Sequence, residues 1–369
     1  MKKNILYTID TSGSGGAETV FLELIKRLDR QAYSPHVLLK GKGWLYDEVV
    51  KLGLRPEIVG MKGSFNLRYL LSMVNTIKRN KIALVHSHLF GSNVYCSLAG
   101  MVCRVPVVST FHGTVDGNLN GRLPGLKFRL INMGSKRIVF VSNYLKEYYW
   151  SHTPVSRTKS LTIYNGIDCN RFSVPKNREL RRDLGYSDDD FLIGSIGNIR
   201  PAKGYDVLLK AAAIVTKQFP QCRFVVAGEG HGNLFQDLLE LRKNLGLERT
   251  VRFLGFRPDV ENLLACMDLF VVPSTTEGFS LSTIEAMATG LAVVVTNSGG
   301  PSEIVAHLKD GILVDESRPE AIAEAIKLCL SNQQLRISLV SNSRKTIQER
   351  YDVRTMIKRY SELYDACLH

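Results

Sequence analysis

The chain has 369 residues, 44% of them apolar and 22% charged, which suits two domains of about 100 to 200 residues with real cores and excludes a disordered chain. No uninterrupted apolar run reaches the roughly 18 to 20 residues that cross a bilayer, and Met1-Lys2-Lys3 leads into a strand-like stretch without a signal-peptide core. The sequence therefore reads as a cytoplasmic protein, and its seven scattered cysteines, without a CxxC pair, read as buried thiols and not as a disulfide framework or zinc site.

The net charge of +13 is unevenly spread. Residues 1–165 hold 23 Lys plus Arg against 9 Asp plus Glu, whereas residues 166–369 hold 25 against 26. Such an asymmetry marks either a surface facing an anionic partner or a basic surface with no partner.

In chain order, β-branched runs alternate with helical patterns. Strands are predicted at Asn4 to Ile9, His36 to Leu39, Leu84 to Ser87, Val107 to Thr110 and Arg137 to Val141, with helices from Ala17 to Leu28 and around Tyr69 to Asn80. A second series runs through Phe191 to Ile196, Phe224 to Ala227, Val251 to Phe253, Leu269 to Val272 and Ala292 to Thr296. This rhythm predicts an α/β chain of two doubly wound, Rossmann-like domains. The segment from about Asn165 to Asp190 reads as a linker, and the tail from Gln348 to His369 as a helix with Tyr351, Tyr360 and Tyr364 along it. Ligands of two such sheets are expected at the carboxyl ends of the strands, in a cleft.

Three loops carry the chemistry. After the first strand, Gly13, Gly15 and Gly16 precede a helix, which suits a diphosphate on free N–H groups or simply a tight turn. The second domain opens with Gly194-Ser195-Ile196-Gly197-Asn198-Ile199-Arg200-Pro201-Ala202-Lys203-Gly204, placing two cations where they can stabilise a departing diphosphate or serve as surface residues. The stretch Pro273 to Gly290 reads as strand, loop and helix, with Glu277 and Glu285 eight residues apart. Eight helical steps at about 1.5 Å would separate them by about 12 Å, too far for one acid/base pair but suited to two ends of an elongated polyhydroxylated ligand. Between them, Gly278, Phe279, Ser280 and Leu281 lie where helix N–H groups welcome a diphosphate, leaving Glu285 for a ribose and Glu277 for a sugar.

Taken together, E-x7-E, Gly299-Gly300-Pro301-Ser302-Glu303-Ile304-Val305, Asp310-Gly311-Ile312-Leu313-Val314, Lys203-Gly204, Tyr164-Asn165-Gly166-Ile167-Asp168 and Gly15-Gly16-Ala17-Glu18 resemble the retaining glycosyltransferases of family 4, which have the GT-B fold, over nearly the whole chain. The resemblance implies an acceptor-binding domain at residues 1–168, with a helix at about 350–369 packing back on it, and a domain at residues 169–349 that binds a nucleotide-sugar donor, UDP-sugar favoured and GDP-sugar possible. It implies transfer with retention to a hydroxyl of a glycan or lipid-linked saccharide in cell-surface polysaccharide or glycolipid synthesis, without a metal or other cofactor. Carried over, Glu285 binds ribose, Glu277 and the backbone of Phe279 to Leu281 hold sugar and diphosphate, Lys203 holds the diphosphate, and Gly16 offers its N–H. His112, after Ser109-Thr110-Phe111, matches the family's active-site histidine.

Asn198 departs from the family pattern, standing where an arginine is expected, and Arg200 two residues later is the candidate replacement. Asp188-Asp189-Asp190 reads as a solvated turn and not as a metal motif. His86 and His88 are either acceptor contacts or partly buried neutral imidazoles. Front-face attack is the favoured route. The basic, leucine- and phenylalanine-bearing segment Arg122 to Arg137, followed by the aromatics of Tyr144 to Trp150, suits peripheral docking on an anionic inner membrane face, and no nucleic-acid reader motif competes with that. The base is expected near Phe256 to Asp259. Two other functions fit the architecture: a nucleotide-sugar epimerase, which would convert donor without acceptor, and a binding protein without turnover.

Overall fold

The computed structural model describes residues 2–60, 66–114, 123–315 and 317–369. The chain divides into two units, Met1–Gly166 with Val353–His369, and Ile167–Asp352. Arg122, at the start of the expected membrane-facing segment, lies outside the described residues.

Unit 1 is built on seven strands: β1 (Lys3–Ile9), β2 (Tyr33–Leu39), β3 (Glu57–Ile58), β4 (Leu84–His88), β5 (Val107–Phe111), β6 (Arg137–Phe140) and β7 (Ser160–Thr162). They pair in parallel in the order β3-β2-β1-β4-β5-β6-β7. A parallel sheet covered on both faces needs apolar residues on both sides of each central strand. β4 and β5 are accordingly buried at every position, although β4 reads Leu-Val-His-Ser-His. One side of the sheet meets a core of Leu6, Leu38, Tyr69, Met73, Ile77, Val85, Tyr95 and Val107, each such side chain stabilising the fold by about 1.5–3 kcal/mol.

The helix Val353–Leu368 completes unit 1. Tyr360 and Tyr364 are fully buried, and the Tyr7 hydroxyl donates to the Tyr364 hydroxyl at 3.1 Å. The tail is not one helix from Gln348. The helix Gln333–Arg350 stops, and Ile167 pairs with the two residues that follow, through its N–H to Tyr351 O at 2.9 Å and a β-bridge to Asp352. That extended pairing takes Tyr351 and Asp352 out of the helical pattern, so Tyr351 belongs to unit 2.

Unit 2 carries β8 (Phe191–Ile196), β9 (Cys222–Ala227), β10 (Val251–Gly255), β11 (Leu269–Val272), β12 (Ala292–Thr296) and β13 (Ile312–Val314), all parallel, in the order β10-β9-β8-β11-β12-β13. Its core joins Ile193, Leu208, Leu209, Phe224, Val226, Leu269, Val271, Val294 and Ile326. The expected linker is not one. It holds the helices Cys169–Phe172 and Arg178–Asp183, and the buried Arg181 donates to Cys266 O at 2.9 Å, to Asp268 Oδ2 at 2.8 Å and to Ser187 O at 3.0 Å. A guanidinium satisfied on so many sides fixes the segment to the start of β8 and β11.

Candidate active site

In both sheets the strand order reverses once, between β1 and β4 and between β8 and β11. Ligands of doubly wound sheets gather beyond the carboxyl ends of strands at such a switch point. In unit 2 the loops leaving β8 and β11 are those with the glycine–lysine turn and the acidic stretch.

These two loops touch. Gly204 has φ +63, and a Cβ there would stand 2.1 Å from Pro273 O, so only a residue without a side chain lets the turn Pro201–Lys203 lie against the loop after β11. Thr275 N donates to Ala202 O at 2.8 Å. The contact brings Lys203 Nζ to Glu277 Oε1 at 2.5 Å, and Ser274 Oγ donates to the same oxygen at 2.8 Å. Tyr205 OH donates to Gly197 O at 2.7 Å, securing the loop after β8. Ser274 and Tyr205 were not singled out in the sequence, where Ser274 beside Pro273 gave the only local signal of a side chain at a strand end.

The helix Leu281–Thr289 starts at Ser280, whose hydroxyl caps Thr283 N at 3.4 Å. The other N–H groups of a first turn have no partner within their own helix. Gly300 supports this start closely, since a Cβ there would stand 2.6 Å from Phe279 Cα. The Phe279 ring rests against Tyr351 at 5.8 Å. One turn on, Glu285 sits between the buried Ile284 and Ala286; its backbone O accepts from Thr289 Oγ1 at 2.9 Å, while its carboxyl has no hydrogen-bond partner among the described residues. Burial pushes its carboxyl up to about 7, with Arg171 opposing and Glu261 adding to the rise. Arg171 and Glu261 are themselves paired through two hydrogen bonds of 2.7 and 3.1 Å. A half-buried carboxyl lacking donors is a strong acceptor for ligand hydroxyls.

Asn198 and Arg200 do different things. The Asn198 carbonyl accepts from Glu229 N at 3.0 Å, tying the loop after β8 to the one after β9. Arg200 is exposed and forms no ion pair among the described residues. In the loop after β10, Arg257 and Asp259 pair through bonds of 2.8 and 2.5 Å beside the exposed Phe256. Asp188 and Asp189 are exposed, while Asp190 accepts from Ser187 N at 2.8 Å and pairs with Arg223 at 3.2 Å. Among the described residues no group of three metal-ligating side chains gathers.

In unit 1 the helix Gly16–Arg27 starts after β1, with Gly15 at its cap and Glu18 folded back so that a Cβ on Gly15 would meet its Oε2 at 2.6 Å. Asp10, at the end of β1, binds Lys40 and accepts from Ser92 Oγ at 2.9 Å. Across the switch point lie three histidines. His86 is fully buried, with Nδ1 2.6 Å from Tyr364 OH and Nε2 2.8 Å from Thr110 Oγ1. Both its nitrogens are occupied inside the protein, so it is a neutral structural imidazole and not an acceptor contact. His88 is equally buried, behind His112, with 2.8 Å between His88 Nδ1 and His112 Nε2. Burial holds all three well below the ordinary histidine range, His86 and His112 at about 3.

Elsewhere on unit 1, the helix Pro124–Gly134 turns Phe128 and Ile131 inward and leaves Leu126 and Met133 outward, 50% and 67% exposed, with Leu123 at its cap 69% exposed. Among the described residues no helix is long and apolar enough to cross a membrane.

Two parallel-sheet units of this kind make up the GT-B fold. The fold matches that of HepE from Anabaena, solved with UDP and glucose, with a TM-score of 0.90 and 24% identity over 99% of this chain and 100% of that one. The chain belongs to Glycosyltransferase Family 4, whose model matches residues 14–171, with the Glycosyl transferases group 1 model matching residues 176–346. It is 30% identical over 301 residues to an uncharacterized glycosyltransferase of Methanocaldococcus jannaschii, covering 77% of this chain and 75% of that protein. It is 25% identical over 363 residues to the UDP-Gal:alpha-D-GlcNAc-diphosphoundecaprenol alpha-1,3-galactosyltransferase of Escherichia coli, covering 95% and 93% of the two.

Proposed function

We propose that the protein transfers a sugar from a nucleotide diphosphate, UDP favoured, to a hydroxyl of a glycan or lipid-linked saccharide, with retention of anomeric configuration. The observation that carries this reading is the gathering at one switch point of the Lys203–Glu277 pair, the helix start at Ser280 and the donorless Glu285. A nucleotide sugar presents hydroxyls at both ends and two negative charges between them. Glu285 accepts from the ribose hydroxyls and Glu277 from those of the sugar. The first-turn amides from Gly278 to Leu281, with Lys203 and Arg200, take the diphosphate.

In this reading the bond from the anomeric carbon to the diphosphate oxygen breaks while the acceptor oxygen bonds to that carbon on the same face. The acceptor's proton passes to the departing phosphate oxygen. The protein contributes positioning and stabilisation of the leaving charge, for which cations and amides suffice without a metal or other cofactor. The UDP preference is supported by the UDP-Gal-dependent E. coli relative and by HepE, which was solved with UDP and glucose.

The acceptor's setting is argued from charge. Between Glu57 and Glu147 the sequence holds twelve Lys or Arg and one acid, Asp116. Exposed Leu123, Leu126 and Met133 lie in the same stretch. Apolar side chains among cations suit an anionic membrane face, where a lipid-linked acceptor resides.

The test is a thermal-shift screen over UDP and GDP sugars, followed by mass detection of transfer to candidate acceptors and NMR of the new linkage. Stabilisation by one donor and an acceptor-dependent product of retained configuration are expected. Conversion of donor without acceptor, or an inverted product, contradicts the proposal.

A further inference from the structure

We propose that a pocket at the amino ends of β5, β6 and β7 binds the phosphate group of an anionic lipid headgroup. For its partner the inference rests on the proposed membrane-facing reading of this part of unit 1. The pocket itself lies at the end of the sheet opposite the carboxyl ends of the strands.

The topology gathers the charge. In a parallel sheet all strands begin at the same end, and neighbours lie about 4.8 Å apart. Arg104 follows the helix Phe90–Cys103 and stands three residues before β5, Lys136 and Arg137 lead into β6, and Lys159 immediately precedes β7. The Lys136 N–H donates to Val107 O at 2.8 Å and the Ile138 N–H to Lys159 O at 2.9 Å, so the three segments enter the sheet side by side. Their four cations line one cavity of about 370 Å³. A Cβ on Gly134 would stand 2.3 Å from Ser97 O, so this glycine lets the helix Pro124–Gly134 end against the helix Phe90–Cys103 and close one wall.

No carboxylate balances these charges. Lys159 Nζ donates to Ser135 O at 2.9 Å and also to Asn132 O, serving the carbonyls at the end of the helix Pro124–Gly134. Burial, and then the charges of Arg137 and Lys136, push Lys159 below the ordinary lysine range. Arg137 donates to Lys136 O at 3.0 Å, and no acidic residue lines the pocket. Like charges held in one concavity repel, and an anion returns that cost. A phosphate offers several oxygens at once to guanidinium and ammonium donors. The rim selects among anions. Met133 lines the pocket and Val102 follows the lining Met101, and they are 67% and 63% exposed. Apolar side chains flanking cations suit the boundary of headgroup and acyl chain, whereas a soluble phosphate compound would leave them in water.

The test uses the full-length protein and its sedimentation with phosphatidylcholine vesicles carrying phosphatidic acid, at about 0.15 M salt, where attraction beyond about 8 Å is screened. Binding by the wild type is expected. Lys136→Gln with Arg137→Gln should weaken it about thirtyfold, the worth of two cations held at an anionic surface. Arg104→Asn, at a left-handed position that Asn tolerates, should weaken it several-fold. Lys2→Gln with Lys51→Gln removes the same charge from exposed positions outside the pocket and should cost less than about threefold. Equal losses in the two double variants, or no sedimentation of the wild type, overturn the proposal. Thermal stabilisation by glycerol 3-phosphate without sedimentation assigns the pocket to a soluble phosphate and overturns the lipid as partner. If Lys136→Gln with Arg137→Gln does not fold, Arg104→Asn decides. Vesicle binding lost in Leu126→Glu but kept in the pocket variants would discard the pocket and leave the membrane-facing reading standing. The assay needs no turnover, so it stands apart from the assignment of glycosyl transfer.

Discussion

Lys203 and Glu277 are 74 positions apart in the chain, yet their side chains share a hydrogen bond of 2.5 Å at the meeting of the turn after β8 and the loop after β11. The pair is largely shielded, with side chains 24% and 11% exposed. The pair holds the Lys203 cation in place beside the loop that leads into the helix Leu281–Thr289, so that in the proposed reading a diphosphate would not have to order it.

Replacing Lys203 by Ala should therefore lower kcat by roughly 100- to 1,000-fold, the usual worth of one preorganised stabiliser of leaving charge. Glu277→Gln should cost less than the same change combined with Lys203→Ala, and the two losses should fall short of adding because each variant frees the other's partner. Steady-state kinetics on the four proteins of this cycle supply the check. Strict additivity would mean that the pair does not act as a unit.

Arg200 is predicted to contribute to the diphosphate contact from its shifted position, since Asn198 is committed to Glu229 N. Arg200→Ala should reduce kcat/KM by about tenfold or more, as expected for a charge-assisted contact. Turnover that survives Arg200→Ala intact while Lys203→Ala abolishes it would leave Asn198 without a substitute.

The raised Glu285 carboxyl has a stability signature. Its folded value of about 7 exceeds the ordinary 4.5, so the folded chain holds a proton that the unfolded chain releases between these values. Stability from this group is complete below about pH 4.5 and is lost as pH rises through about 7. Glu285→Gln removes the titration, so the wild type should lose melting temperature relative to this variant from pH 5 to pH 8. Parallel Tm profiles would show that the carboxyl is not enclosed.

The outward face of the helix Pro124–Gly134 should bind vesicles. Leu126→Glu with Met133→Glu places two acids where 50% and 67% exposed apolar side chains stand. Sedimentation with phosphatidylglycerol vesicles at low salt should fall several-fold while turnover on a soluble acceptor persists. Equal sedimentation of variant and wild type, or none by the wild type, would remove the membrane from the account.

Much of the architecture is written in local pattern. β8, β11 and β12 are apolar runs bounded by turn residues, and their limits follow from that alone. The short strands β3, β7 and β13 escape it because two or three residues carry no period and their pairing is decided by the neighbouring strand. The break at Tyr351 and Asp352 was hidden for a similar reason, since it depends on Ile167, 184 positions earlier. At the site, Glu277, Glu285 and Lys203 stand out by residue type and spacing. Ser274 and the burial of His86 do not, because a serine hydroxyl and an imidazole acquire their partners only when distant segments pack together. The chain order of the motifs identified the family, while the part played by Asn198 became legible only from its bond to the loop after β9.

The account turns on unit 2 holding a nucleotide sugar through Glu285. Calorimetric titration of the preferred UDP-sugar into wild type and Glu285→Gln at pH 8, where the wild-type carboxyl is ionised, measures this directly. At least a tenfold weaker affinity is predicted for the variant, about the value of a charged acceptor shared by two hydroxyls, with melting temperature maintained. Equal affinities in the two proteins would contradict the assignment.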